Sequence, residues 1–417
     1  MRKNDKTIIL IIMTCILLLS GCSNTRVKET QLANLNDLGK NKPVIVTTEL
    51  YSKWLSDKLN ELPIFQSSSL QGLGWDLRSY DLSSLNLSGH SEELKYVAFD
   101  TDTVWPNNLP TDFDPSAIME LGRDPGLGIR TLHERGITGK GVNIAIIDEA
   151  LLLEHEEYKD NIMLYERLNC QDQKATMHGP GVASLAVGQN VGVAPDAKLY
   201  YIASTFGKIV DNKFEVDLTI MADGIKRVLE INKHLSDEEK IRVISISRGI
   251  DDNSKGIDEV IAAIELAKQS DVFVITTTTS INYDFTIMGL GRDLMSDPND
   301  ANSYVPGLFW SDTYYSGEFQ RDNLLLVPID ARTYASTTGE KDYAFSSVGG
   351  LSWASPWLAG LYALCVQVNP QITIDEFIQL AIKTGDEITV EHEAAQYTLK
   401  TMINPVKLVD AIEHPDN

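Results

Sequence analysis

Three features of the sequence predict an α/β fold, doubly wound about a mainly parallel sheet, with a smaller N-terminal extension. Short, near-continuous apolar runs recur at Val142 to Ile147, Lys198 to Ala203, Ile241 to Ser247, Val272 to Thr276 and Leu324 to Ile329. Runs of that length without polar alternation are the mark of strands covered on both faces, as in parallel sheets. Helix-period stretches separate several of them, notably Leu218 to His234 and Gly256 to Ser270, and such alternation belongs to a sheet with helices packed on it. The pattern begins only near residue 119, so the chain divides into an extension before that point and a main domain over residues 119–417.

Each part can be justified in chain order. Arg2, Lys3 and Lys6 form a positive head, followed by an apolar run from Thr7 to Leu19 that is short for a membrane-spanning helix. It closes on Leu19-Ser20-Gly21-Cys22 and resembles a bacterial lipoprotein signal. That resemblance implies a signal peptide over residues 1–21 and a palmitate-type acyl anchor on Cys22 at the outer face of the cell membrane. Each buried methylene of such an anchor contributes about 0.8 kcal/mol. Residues 22–42 are polar and without apolar period, and they read as a tether. Residues 43–118 hold a strand-like piece (Pro43 to Thr48), a helical piece (Glu49 to Leu62), a leucine-spaced run, and then a linker marked by Pro106, Pro110 and Pro115. This block reads equally as a propeptide-like region, a docking module or a packed extension. A cut near residues 105–120 would release the main domain from its tether.

Composition narrows the function. The formal net charge of −23 argues against nucleic-acid partners and against adhesion to anionic lipid by charge alone. Of the four cysteines, Cys15 and Cys22 fall in the leader and at its end, and Cys170 and Cys365 have no metal-like spacing. Cys365 lies in an apolar run and reads as a small buried hydrophobe. No HExxH and no phosphate-binding glycine loop occurs. Oligomeric state leaves no mark in the sequence.

Three segments carry chemistry. Gly136 to Asp148 is a turn-rich lead into a buried strand that ends in an acid. Met177-His178-Gly179-Pro180-Gly181 opens a helical stretch, and Gly350-Leu351-Ser352-Trp353-Ala354-Ser355-Pro356 opens another that runs to about Val368. Together they resemble the subtilisin-like serine peptidases, whose acid, histidine and serine follow in that chain order. The resemblance spans roughly residues 119–405 and implies a serine endopeptidase acting on proteins or peptides, with Asp148, His178 and Ser352 as its triad. Ser352 would be the nucleophile, His178 the base that takes its proton, and Asp148 the group that fixes the imidazole tautomer. His155, seven residues past Asp148, reads as structural.

The chain also departs from that family. Glu149-Ala150 follow the acid, Pro180-Gly181 replace the second half of H-G-T-H, Leu351 precedes the serine and Trp357 follows the proline. After the strand at Val272 the usual glycine–asparagine is replaced by Thr276-Thr-Thr-Thr-Ser280-Ile-Asn282. The oxyanion donor expected there is therefore Ser280 or Asn282. Ser247-Arg248-Gly249 resembles the segment against which relatives lay substrate as an added strand. Arg248 stands where an apolar residue is usual; it either favours acidic substrate side chains or pairs with an acid of the protein itself. Calcium is expected only as a supporting ion common in that family, and no ligand loop is readable. These departures keep a second function open: a pseudopeptidase that binds peptides or partner proteins without cutting them.

Overall fold

A computed structural model describes residues 28–39, 42–46, 58–65, 74–172, 174–210, 213–318 and 323–415. The leader, Cys22 and the tether up to residue 27 lie outside the described residues, as do residues 49–57 of the helical piece expected over Glu49 to Leu62; its described residues 58–62 are not helical, and Lys58 forms a β-bridge with Asp81 instead. Among the described residues, no helix is long and apolar enough to cross a membrane.

The central layer is a sheet of six parallel strands: β1 (Val44–Ile45), β2 (Asn143–Asp148), β3 (Ile162–Arg167), β4 (Lys198–Ala203), β5 (Ile241–Ser245) and β6 (Phe273–Ile275). Their spatial order is β1-β3-β4-β2-β5-β6. The chain leaves β2 to one side, returns through β4, and crosses β2 to reach β5 on the other side. Ligands of such sheets lie beyond the carboxyl ends of the strands at the point where the order reverses, and Asp148 is the last residue of β2.

Four helices flank this sheet: α1 (His178–Val187), α2 (Leu218–Lys233), α3 (Ile257–Gln269) and α4 (Leu351–Val368). α2 packs on α3, and α1 packs on α4. Successive side chains of a strand point to opposite faces. Ile147 lies against Gly224 of α2, and its neighbour Asp148 meets His178 of α1. The strands and helices expected from Val142 onward stand within a residue or two of their sequence bounds.

Two features differ from expectation. β3 was not legible as a strand because it ends in Glu166 and Arg167, both fully buried. Glu166 pairs with Arg227 of α2 at 2.8 Å, and Arg167 donates to the Cys170 and Asp172 carbonyls. Leu324–Pro328 is a strand as expected, but it lies in a second sheet beside Thr286–Arg292 and Ala395–Met402. The Tyr283 hydroxyl accepts from the Val274 backbone N–H at 3.1 Å, so a side chain meets a donor of β6 that a next strand would otherwise have taken.

The extension is built into the main domain. Val44–Ile45 pairs with β3. Val97–Asp100 is an inner strand of a third sheet, between Trp75–Asp76 and the hairpin formed by Arg332–Ala335 and Tyr343–Ser346. A second apolar cluster, with Leu77, Leu82, Leu87, Val97, Phe99 and Phe345 among its members, fills the space beneath that sheet.

Candidate active site

α1 brings His178 to the end of β2, where Nδ1 lies 2.6 Å from Asp148 Oδ1. The same oxygen accepts the Glu149 backbone N–H at 2.8 Å, and Oδ2 is buried without a partner. The carboxylate is 2 % exposed and the imidazole 25 %, so one reaches solvent only through the other. Burial works against charge on His178. The charge and hydrogen bond of Asp148, helped by Glu149, outweigh it and raise the imidazole to about 9, while Arg248 pulls the other way. With Nδ1–H on the carboxylate, Nε2 is the nitrogen left to take a proton.

Two glycines let α1 sit this close. A Cβ on Gly179 would collide with the Glu149 carbonyl and crowd the Tyr201 hydroxyl. A Cβ on Gly181 would stand 2.9 Å from the Trp353 indole. That indole, on the residue after Ser352, tilts against the imidazole with ring centres 5.7 Å apart. Gly181, one of the departures, and Trp353 fit one another: the bulk of the second needs the space left by the first.

Ser352 lies in the first turn of α4. Gly350 caps the helix in an extended conformation, and Asp330 holds the preceding turn, its Oδ1 accepting the Gly349 N–H at 2.6 Å and its Oδ2 the Leu308 N–H at 2.7 Å. Burial pushes the Asp330 carboxyl up to about 7. Pro356 falls in the second turn of α4 rather than the first. A proline there has no N–H for the carbonyl four residues back, and that carbonyl belongs to Ser352. The Ser247 hydroxyl takes the vacant place, donating to Ser352 O at 2.7 Å.

The Ser352 hydroxyl donates to the Ser247 carbonyl at 3.3 Å. Among the described residues no hydrogen bond joins it to the imidazole. Asp148, His178, Ser352 and Ser247 thus meet at one end of the parallel sheet, with the serine turned toward the strand that follows β5.

The two expected oxyanion side chains have surroundings of their own. Ser280 is exposed in a short 3-10 turn over Thr279–Ile281. Asn282 donates to Glu265 of α3 at 3.3 Å. Among the described residues neither hydrogen-bonds Ser352. The nearest donor of the right kind is the backbone N–H of Ser352 itself, one of the first amides of α4, which have no partner within the helix.

Beyond β5, Arg248 turns its backbone inward: its N–H donates to the Ile246 carbonyl at 2.8 Å and its carbonyl accepts from Thr277 at 3.2 Å. The backbone groups of Gly249 make no hydrogen bond among the described residues. This alternation leaves Ser247 and Gly249 with an edge that an extended peptide can join. His155 is fully buried, bonded to the Asp342 carbonyl at 2.9 Å and stacked on Tyr158. Among the described residues no group of three or more His, Cys, Asp or Glu side chains gathers as a metal site.

The sequence model described as the subtilase family, Peptidase_S8, matches residues 139–399. Among curated proteins, the chain is 24 % identical to Protease KEX1 of Kluyveromyces lactis over 63 % of its own length and 35 % of that protein. It is 21 % identical to Furin-like protease 2 of Drosophila melanogaster over 76 % of its own length and 20 % of that protein. It is 25 % identical to Serine protease AprX of Bacillus subtilis over 60 % of its own length and 62 % of that protein. The chain thus spans about a third or less of the first two of these relatives. A solved structure of the prenylagaramide maturation protease PagA superposes with a TM-score of 0.47 at 16 % identity, covering 68 % of this chain and 98 % of that one.

Proposed function

The chain belongs to the subtilase family, whose sequence model matches more than half of it, and from that premise we propose a serine endopeptidase working through Asp148, His178 and Ser352. The observation that carries this reading is the 2.6 Å bond between His178 and Asp148 beside the first turn of α4. In the reaction, the Ser352 hydroxyl leaves the Ser247 carbonyl, turns to Nε2 of His178 and gives up its proton as the oxygen attacks the scissile carbonyl. Asp148 keeps the imidazole in the needed tautomer and offsets its positive charge. The Ser352 N–H faces the developing oxyanion. The imidazolium then protonates the leaving amine, and water, deprotonated by the same base, hydrolyses the acyl-enzyme. Substrate lies along the free edge of Ser247 and Gly249.

A fluorophosphonate probe tests the reading directly. It should label the folded protein at Ser352 and fail to label Ser352→Ala; an unlabelled but folded wild-type protein would remove the proposal. The same outcome would favour a pseudopeptidase, the second reading, which draws support from the serine hydroxyl resting on Ser247 and from the outward placement of Ser280 and Asn282. We also propose that acyl chains on Cys22 hold this body at the outer face of the membrane, on the strength of the leader pattern alone. Metabolic labelling with palmitate should mark the wild type; label persisting in Cys22→Ala would count against the anchor.

A further inference from the structure

Arg248 lies in the substrate-edge segment as a cation without a partner among the described residues. Elsewhere among the described residues, arginines that leave solvent find acceptors: Arg227 on Glu166 and Glu230, Arg242 on Asp271, Arg292 and Arg332 on backbone carbonyls. Among the described residues Arg248 makes no side-chain hydrogen bond and no ion pair, and its Nε and Nη2 are buried with nothing to donate to. Asp251 and Glu149 are near enough to favour its charge, yet neither reaches ion-pair distance, and burial lowers its proton affinity. Of the two roles open to this residue on sequence, pairing within the protein is therefore the one that the geometry lacks.

A guanidinium with two of its three nitrogens out of water and unpaired carries a penalty. An incoming carboxylate relieves that penalty best, since it brings opposite charge and matches the fork of donors in the same plane. An amide of the same shape supplies one acceptor and no charge. The location decides what the carboxylate belongs to. Arg248 follows directly on Ser247, whose carbonyl touches the Ser352 hydroxyl, and its charge is felt at His178. A peptide laid along Ser247 and Gly249 passes over it within a residue or so of the reacting bond.

We infer that Arg248 is a specificity-determining residue that selects substrates carrying an Asp or Glu side chain close to the scissile bond. The inference rests on the peptidase reading of the same site. It names the substrate class as acidic peptides.

Matched fluorogenic peptides that differ only in Glu or Gln at each position flanking the cut test it in the full chain. Wild type should favour a Glu peptide by about tenfold or more in kcat/KM at one such position, the size expected for one charged hydrogen-bonded pair. Arg248→Leu should bring that ratio near one, and Arg248→Glu should invert it toward Lys-bearing peptides. Binding of the same peptides to Ser352→Ala, read by fluorescence anisotropy, should show the same Glu-over-Gln preference without any catalysis. Probe labelling of Ser352 separates the two levels: a labelled enzyme with no Glu preference in cleavage or binding overturns the role of Arg248 alone. A preference unchanged in Arg248→Leu overturns it as well. An unlabelled protein that still binds Glu peptides through Arg248 keeps the subsite and loses only the peptidase.

Discussion

At the scale of single residues, what matters most is where the proton of His178 resides. Burial alone would drive the imidazole neutral; the Asp148 carboxylate, with Glu149 behind it, reverses that and carries it to about 9 against the pull of Arg248. Only the neutral ring can take the Ser352 proton, so the active fraction grows as pH rises through that value. The expected profile of kcat/KM on an uncharged peptide has its acid limb well above the ordinary histidine value of about 6.5. Asp148→Asn should move the limb down toward that value while lowering kcat by about four orders of magnitude. A wild-type limb near 6.5, unmoved by Asp148→Asn, would contradict the pairing. The linkage has the matching sign: because the folded state binds this proton more tightly, the pair stabilises the fold fully at and below the unfolded pKa and ceases to do so as pH climbs past about 9. The sequence singles out these three positions because each sits in its own local signature: an acid after an apolar strand, a histidine before a glycine-rich helix start, a serine in G-x-S-x-A-S-P; the structure pairs the first two. The oxyanion donor has no such signature. Four threonines in a row give no register, and the nearest asparagine, Asn282, turns out to serve α3 through Glu265.

Secondary-structure elements add a constraint that no single residue reveals. α4 carries Pro356 in its second turn, which removes the amide that would bond Ser352 O and leaves that carbonyl to the Ser247 hydroxyl. The helix start and the strand end are thereby tied together at the nucleophile. Ser247→Ala should leave the carbonyl unsatisfied, lowering stability by about 1–2 kcal/mol and lowering kcat more than it raises KM. Pro356→Ala should restore the helical bond and make the loss of Ser247 nearly neutral, so the double variant is the informative one. If Ser247→Ala is equally harmful with and without Pro356, the tie is not acting through this carbonyl. The proline was visible in the sequence, but its consequence depends on the helix starting at Leu351 and on a hydroxyl more than a hundred residues away. β3 was hidden for a related reason: Glu166 and Arg167 read as surface residues until the partners supplied by α2 and by neighbouring carbonyls are in place.

For the whole molecule, the question is whether the extension is separable from the domain it precedes. Composition and the proline-marked linker suggested a boundary near residue 119, and nothing local in the sequence contradicts it. The pairing crosses that boundary, because it joins residues distant in the chain. Val97–Asp100 lies along Tyr343–Ser346, with Ser347 donating to the Val97 carbonyl from both its backbone and its hydroxyl. Ser346 stands only a few residues before the nucleophile. Phe99 and Phe345 pack with ring centres 5.2 Å apart, inside a cluster that also buries Leu77, Leu82, Leu87 and Val97. Each large side chain so buried contributes about 1.5–3 kcal/mol before ordering losses, and only about 8 kcal/mol is needed to hold two fragments together at micromolar concentration. A cut in the linker near residues 105–115 should therefore leave the two pieces associated, eluting together in size exclusion and still labelled at Ser352. Expression of residues 119–417 alone should give a protein that melts at a markedly lower temperature or aggregates, since the edge of Tyr343–Ser346 and the Phe345 ring are then uncovered. Recovery of a freely released, stable and labelled fragment would mean that the third sheet is a docking contact rather than part of the scaffold that positions the site.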